Sequence, residues 1–136
     1  MNIRACTDGD LPLLAALNKQ LIEDERHDNP MNVEQLAARM KAWIDSEYRA
    51  YLFETGGQVV GYALIRHTKQ PLYLRHFFIG RDSRRKGYGK LAFAKLLETV
   101  GAEQIDIEVL HWNEAGYSFW KSLGFRERSV SMRWGE

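Results

Sequence analysis

Arg84-Arg85-Lys86-Gly87-Tyr88-Gly89-Lys90, with Arg81 just upstream, separates an aromatic-rich stretch, Leu72 to Ile79, from a segment, Gly87 to Val100, in which Phe93, Leu96, Leu97 and Val100 recur at helical spacing. The stretch reads as a strand, a basic loop and a helix in succession. Two glycines at the mouth of a helix permit backbone conformations and close approaches that other residues block, and the first helical turn presents unpaired N–H groups at a positive dipole end. This is an anion cradle, and the flanking guanidinium and ammonium groups add charge-assisted bonds to oxyanions. The competing reading is a solvated basic loop. A chain built from such units buries a sheet beneath helices.

Working outward, Gly101 stops the helix, and Ile105 to Leu110 alternates with Asp106 and Glu108 as a strand does. Asn113 to Leu123 reads as a helix with Gly116, Phe119, Trp120 and Leu123 on one face, Gly124 closes it, and Arg126 to Arg133 reads as a last strand. Upstream, Asn2 to Cys6 reads as a strand, and Thr7 with Asp10 as a capping box. The helix that follows carries Leu11, Leu14, Leu21 and Ile22, enters the acidic run Glu23, Asp24, Glu25, and is broken by Asn29-Pro30. Asn32 and Gln35 cap a second helix with Val33, Leu36, Ala37, Met40 and Ile44 on one stripe. Ala50 to Glu54 and Val59 to Arg66 read as strands of a hairpin turning on Gly56-Gly57. The order β α α β β β α β α β predicts a mixed α/β (α+β) sheet flanked by helices.

With 136 residues, 45% hydrophobic and 27% charged, the chain is expected to form a single domain over 1–136 with a substantial core, which excludes disordered and collagen-like classes. A net charge of +1 argues against a general nucleic-acid binder, so the basic residues matter through clustering. The single Cys rules out an internal disulfide and multi-cysteine zinc patterns. No signal-like front or long apolar run is present, so a cytoplasmic location without membrane association is expected. Histidines 27, 67, 76 and 111 lack metal-ligand spacing, so no metal is expected. A Walker loop needs a hydroxyl where Leu91 stands. Gly87, Gly89 and Ala92 satisfy G-x-G-x-x-A, but Gly80 to Lys86 intervene between strand and first glycine, and the chain is too short for two nucleotide-binding halves.

Arg84-x-x-Gly87-x-Gly89 resembles the acetyl-coenzyme A signature of the GNAT superfamily of N-acetyltransferases, and Asn113-x-x-Gly116-x-x-Phe119-Trp120-x-x-x-Gly124-Phe125 resembles its C-terminal signature. Together the signatures span Tyr73 to Phe125, and the first seventy residues carry no diagnostic motif. The resemblance implies a mostly antiparallel sheet with a splayed parallel pair, flanked by about four helices. It implies acetyl-coenzyme A as co-substrate. The pantetheine arm would lie along the strand ending at Phe77, Phe78 and Ile79, the diphosphate would sit on Arg84, Arg85, Lys86, Gly87, Tyr88, Gly89 and Lys90, and Asn113 would hold the coenzyme arm. Asn113 reads equally as the cap of the last helix.

In this family the acceptor amine attacks the thioester directly, so a base must take a proton from an ammonium and no nucleophilic Cys is needed. Cys6 therefore reads as a core residue. Ile107-Glu108-Val109 resembles the base segment of ribosomal-protein alanine acetyltransferases; the other reading of Glu108 is a solvent-facing strand residue. Trp120 stands where the family usually has the tyrosine acid, and an indole N–H donates a hydrogen bond but not a proton. Tyr117 is the substitute acid, or an ordinary tyrosine, and Trp120 is expected to pack against the thioester. Glu23, Asp24, Glu25 and Asp28 suggest a cationic amine acceptor, small molecule or peptide, or else a solvated helix end. Monomer and homodimer both remain open. The alternative function is a coenzyme-binding regulatory module that has lost catalysis.

Overall fold

Strand alternation and two-residue turns give the molecule its frame. In the computed structural model, which describes residues 1–135, β1 (Asn2–Ala5), β2 (Tyr48–Thr55), β3 (Gln58–Arg66), β4 (Leu72–Ile79) and β5 (Ile105–Asp106) form one sheet in the order β1-β2-β3-β4-β5. Every pair is antiparallel except β4–β5, which is parallel. Four α-helices cover the sheet: α1 (Leu11–Asp24), α2 (Val33–Ile44), α3 (Tyr88–Val100) and α4 (Glu114–Ser122). Single 3-10 turns, Asp8–Asp10 and Arg81–Ser83, precede α1 and the loop into α3.

β3 is buried without interruption from Val60 to Ile65, as a strand covered on both faces must be. One face packs Tyr48, Leu52, Tyr62, Leu64 and Phe78 against Leu14, Leu17 and Leu21 of α1 and Met40 of α2. The other packs Tyr51, Phe53, Ala63, Ile65 and Leu74 against Ala92, Phe93 and Leu96 of α3. The α2 cap is the one the sequence suggests: Gln35 N–H donates to Asn32 Oδ1 at 2.8 Å, and Asn32 N–H donates to Gln35 Oε1 at 2.9 Å.

β4 breaks its own alternation. Leu64 pairs with His76 and Ile65 with Leu74, so Arg75 is an extra residue with no counterpart on β3. Such a bulge bends the strand and re-aims its side chains. Leu74 and Phe77 belong to the α3 side, whereas His76 packs its ring against Trp43 and Tyr62 on the α1/α2 side. Arg75 stacks near Trp43 and Tyr48 on that same side.

Two strand expectations need correction. The fifth strand is confined to Ile105–Asp106 rather than reaching Leu110, because β4 pairs with it only at Leu72–Ile105 and Tyr73–Asp106 before diverging. Arg126 to Arg133 forms no strand; Val130, Met132 and Trp134 are 80%, 90% and 98% exposed. The alternation there is real, but no neighbouring strand supplies a ladder, and a lone strand is not stable in water.

β1, the turn before α1, and β2 are tied by one guanidinium, that of Arg4. Arg4 donates to both oxygens of Asp10 at 2.9 and 3.0 Å and to Glu54 at 3.2 Å, while the Thr7 N–H donates to Asp10 at 2.8 Å. Arg4 and the Thr7 amide hold the Asp10 carboxyl at about 2, below its ordinary 3.8. The ionised form thus stabilises the fold above the ordinary carboxylate value, and that contribution is lost as pH falls through about 2. Asp10→Asn is expected to lower stability by about 1 kcal/mol at neutral pH. Urea midpoints measured across an acid series should show the deficit shrinking as pH drops below 3.8.

Candidate active site

Gly87, at φ +75°, turns the loop into α3, and no side chain caps the helix there. The backbone conformation is left-handed, which favours glycine, and the first-turn amides of α3 are left without intrahelical partners. Gly89 has a different reason: a Cβ on it would lie 3.0 Å from Phe119 Cε1, so its missing side chain admits α4 against α3.

The basic residues of the loop divide into two groups. Arg81 bonds Glu23 at 3.0 Å and Asp24 at 2.8 Å, and Arg84 bonds Asp24, donates through Nε to the Ile79 carbonyl at 3.0 Å and lies over the Phe78 ring. Burial pulls the Asp24 carboxyl up, but Arg84 and Arg81 outweigh it and hold it below its ordinary value. Arg85, Lys86 and Lys90 are exposed and form no ion pair among the described residues. Of the sequence-nominated cradle residues, the helix amides, Arg85, Lys86 and Lys90 are thus available to an anion, and Arg84 is directed back onto α1.

Beyond Tyr73, β4 has no ladder partner on its β5 side, so the backbone edge from Leu74 to Ile79 is open. A pocket of ≈ 30 Å³ occupies the opening. It is lined by Leu21 and Glu25 at the end of α1, Leu74 to Phe77 of β4, Ile107 and Glu108 beyond β5, and Trp120 of α4. The side chains of Phe77 and Phe78 are core on opposite faces, so what β4 offers a ligand is its main chain.

Glu108 and Trp120, two of the residues singled out from sequence, meet here. Glu108 is exposed. The Trp120 ring packs edge-on against Phe77, Phe93, Phe119 and Phe125 with centroids 5.2, 5.5, 4.9 and 5.1 Å away. Tyr117 is not among the lining residues. It is exposed, and its hydroxyl donates to Glu127, which pushes the phenol up. Asn113 caps α4, its Oδ1 accepting the Gly116 N–H at 3.0 Å.

Two participants were not assigned these positions from the sequence. Glu25, read there only as part of an acidic run, is half-buried in the pocket, and burial together with Asp24 pushes its carboxyl up from its ordinary value. Trp112 donates its indole N–H to the Glu25 carbonyl at 2.7 Å, joining the end of α1 to the loop before α4. No local pattern announces either, because both depend on helix and loop meeting across the sheet. Burial and Asp10 push the Cys6 thiol up to about 12, so it is a neutral packing group. Burial, Arg39 and Arg75 pull the His76 imidazole down to about 3, and its Nδ1 lies 3.0 Å from the Tyr62 hydroxyl. Among the described residues, no group of His, Cys, Asp and Glu could hold a metal ion, and no helix is long and apolar enough to cross a membrane.

Comparisons with known proteins agree with this geometry. The model of the Acetyltransferase (GNAT) family matches residues 17–125. A search of curated proteins finds no match. Among solved structures, a possible acetyltransferase from Clostridium difficile 630 superposes with a TM-score of 0.81 at 17% identity, covering 99% of this chain and 96% of that one. A predicted acetyltransferase from Clostridium acetobutylicum, solved with acetyl-CoA, gives 0.76 at 16% identity over 98% and 95% of the two chains. The aminoglycoside N-acetyltransferase AAC(6')-Iy, bound to the bisubstrate analogue CoA-S-monomethyl-acetylneamine, gives 0.75 at 16% identity over 99% and 97%. At these identities the likeness is one of fold. The family match begins within α1 and ends just past α4, so it takes in both the basic loop and the pocket: the chain belongs to the acetyltransferase (GNAT) family and is an acyltransferase.

Proposed function

We propose that this chain, acting as one catalytic domain, transfers the acetyl group of acetyl-coenzyme A to an amine of a small molecule or peptide, by direct attack within a ternary complex. The observation that carries the reading is the pocket at the open edge of β4, where Glu25, Glu108 and Trp120 converge one strand away from the basic loop. The neighbours solved with acetyl-CoA and with an acetylneamine analogue support the donor and an amine acceptor.

The chain's groups fit the donor. Uncapped amides at the start of α3, with Arg85, Lys86 and Lys90 beside them, would hold the diphosphate. The unpaired β4 edge from Leu74 to Ile79 would hydrogen-bond the pantetheine amides as an added strand does, with main-chain N–H groups near Phe78 and Ile79 polarising the thioester carbonyl. Asn113 keeps its Nδ2 donors for the coenzyme arm while Oδ1 caps α4. The donor supplies the acetyl group as a thioester whose leaving thiol, with a pKa of about 8.5, departs as thiolate without an obligatory acid.

Base catalysis falls to Glu25 or Glu108. Glu25 is the better placed, because burial raises its carboxyl and so makes its carboxylate a stronger acceptor of the ammonium proton. Once the amine is neutral, its lone pair attacks the thioester carbonyl, the C–N bond forms and the C–S bond breaks with the thiolate leaving; the nitrogen then gives up its second proton, which goes to the thiolate or to solvent, and the carboxyl returns the first to solvent. Trp120, wedged in four aromatic rings, would position the acetyl group rather than protonate the thiolate. The acidic run is less available to a cationic acceptor than its charge suggests, since Arg81 and Arg84 already neutralise Glu23 and Asp24. A coenzyme-binding module without turnover is favoured by one observation, the absence of a phenol among the pocket's lining residues with Tyr117 turned to Glu127.

Release of free thiol from acetyl-coenzyme A, followed across a panel of amines and peptides, decides between these readings: steady release identifies the enzyme, and binding without release the module. Glu25→Gln is expected to lower kcat by roughly 100-fold or more and to remove the acid limb of the pH–rate profile, a limb lying above the ordinary glutamate range. If Glu108→Gln does this instead, the base is Glu108. Replacing Lys86 and Lys90 together with Gln should raise the KM for acetyl-coenzyme A by about tenfold or more while sparing the acceptor KM. Trp120→Ala should reduce both coenzyme affinity and transfer, and unchanged values in calorimetry and turnover would remove its positioning role.

A further inference from the structure

On the α1/α2 side of the sheet, at the end of β3 and the start of β4, three arginines surround three aromatic rings. Arg39 lies 4.5 Å from the Trp43 ring centroid, and Arg75 lies 5.1 Å from Trp43, 5.4 Å from Tyr48 and 5.3 Å from Tyr73. Arg66, whose backbone pairs with both Tyr48 and Tyr73, lies 5.4 Å from the Tyr73 ring. The bulge of β4 is what brings Arg75 into this group.

None of the three is neutralised. No carboxylate within the described residues forms an ion pair with Arg39, Arg66 or Arg75, whereas Arg4, Arg81 and Arg84 each have one. The Nε atoms of Arg39 and Arg66 are buried without any hydrogen-bond partner, a costly state for a guanidinium N–H, while a terminal nitrogen of Arg39 donates to Asn18 Oδ1 at 3.2 Å. Arg75 spends its Nε on the Tyr48 hydroxyl at 2.8 Å, leaving its two terminal nitrogens as a fork. Burial and the repulsion of Arg75 pull the Arg39 guanidinium down, despite the opposing influence of Tyr62.

Arg75 also lines the pocket that holds Glu25 and Glu108. Through Arg75, the one member of the group among the lining residues, the cationic cluster adjoins the volume that Glu25 and Glu108 face, a pattern that complements a molecule carrying an ammonium at one end and an oxyanion at the other. We propose that Arg39, Arg66 and Arg75 form an anion subsite over Trp43, Tyr48 and Tyr73, and that the acceptor is an amine bearing a carboxylate or phosphate. This rests on the acetyl-transfer reading for its catalytic half, but the subsite itself is a binding property that stands or falls separately.

Two measurements test it. In the first, the Arg39 and Arg66 Nε–H resonances of nitrogen-labelled protein are followed while inorganic phosphate, β-alanine or ethylamine is added without coenzyme. Saturable shifts with phosphate and β-alanine, absent with ethylamine and much weakened in Arg75→Gln, are expected. No shift with either anion, equal shifts with ethylamine, or shifts unaltered in Arg75→Gln would overturn the subsite, and reading these two resonances keeps phosphate bound near Gly87 from being mistaken for it. In the second, thiol release compares β-alanine with ethylamine and O-phosphoethanolamine with ethanolamine. The anionic member of at least one pair should have a kcat/KM about tenfold or more above its partner, the pair concerned telling carboxylate from phosphate. In Arg75→Gln that ratio should fall toward unity, whatever the absolute rates, and a ratio near unity in the unaltered protein contradicts the proposal. If no amine in either pair is turned over, the acetyl-transfer reading fails for this class of acceptor while the titration still decides the subsite.

Discussion

The parting of β4 from β5 after Tyr73 is the constraint on which the rest of the molecule depends. Two parallel residue pairs hold the strands together at their start, and the extra residue at Arg75 bends β4 away. From that point the outer edge of β4 is left with its backbone hydrogen-bonding groups unspent. Helices α1 and α4 reach the opening from opposite faces, so Glu25 and Trp120 meet there although 94 residues of chain lie between them. Everything chemically suggestive in the protein clusters around that gap or at the loop following β4.

The distribution of positive charge gives this arrangement its direction. A net charge of +1 conceals three distinct groups of basic residues. Arg81 and Arg84 are spent in joining the loop to the end of α1. Arg85, Lys86 and Lys90 remain outside the helix mouth, where a diphosphate would gain both main-chain and side-chain donors. Arg39, Arg66 and Arg75 lie against aromatic rings on the α1/α2 side, none with an ion pair among the described residues, and Arg75 reaches the pocket.

Much of this order was legible in the residues. The α2 stripe and its Asn32–Gln35 cap, the Gly56-Gly57 hairpin and the span Leu72 to Ile79 are local patterns, and local patterns survive folding. The family followed from spacing around Gly87 and Asn113. What could not be read were meetings between distant elements. Glu25 looks like a helix-end charge until α1 is laid across β4, and Arg75 looks like an outward strand residue until the bulge shifts the register around it. Val130, Met132 and Trp134 misled for the complementary reason: alternation supplies a strand's side chains but not the neighbour it must bond. Tyr117 shares a helix with Trp120 yet is drawn outward by Glu127, a partner from beyond the helix end.

The bond between Arg81 and Asp24 also makes the two halves of the cleft one mechanical piece. The loop that would carry the nucleotide end of the donor is bolted to the helix whose C-cap, Glu25, lines the pocket. A change at either partner of the bolt would then disturb Michaelis constants for both substrates together. The customary rule that a shifted constant reveals which substrate a residue touches fails for this pair, and only a residue-level probe of bound geometry can apportion their influence.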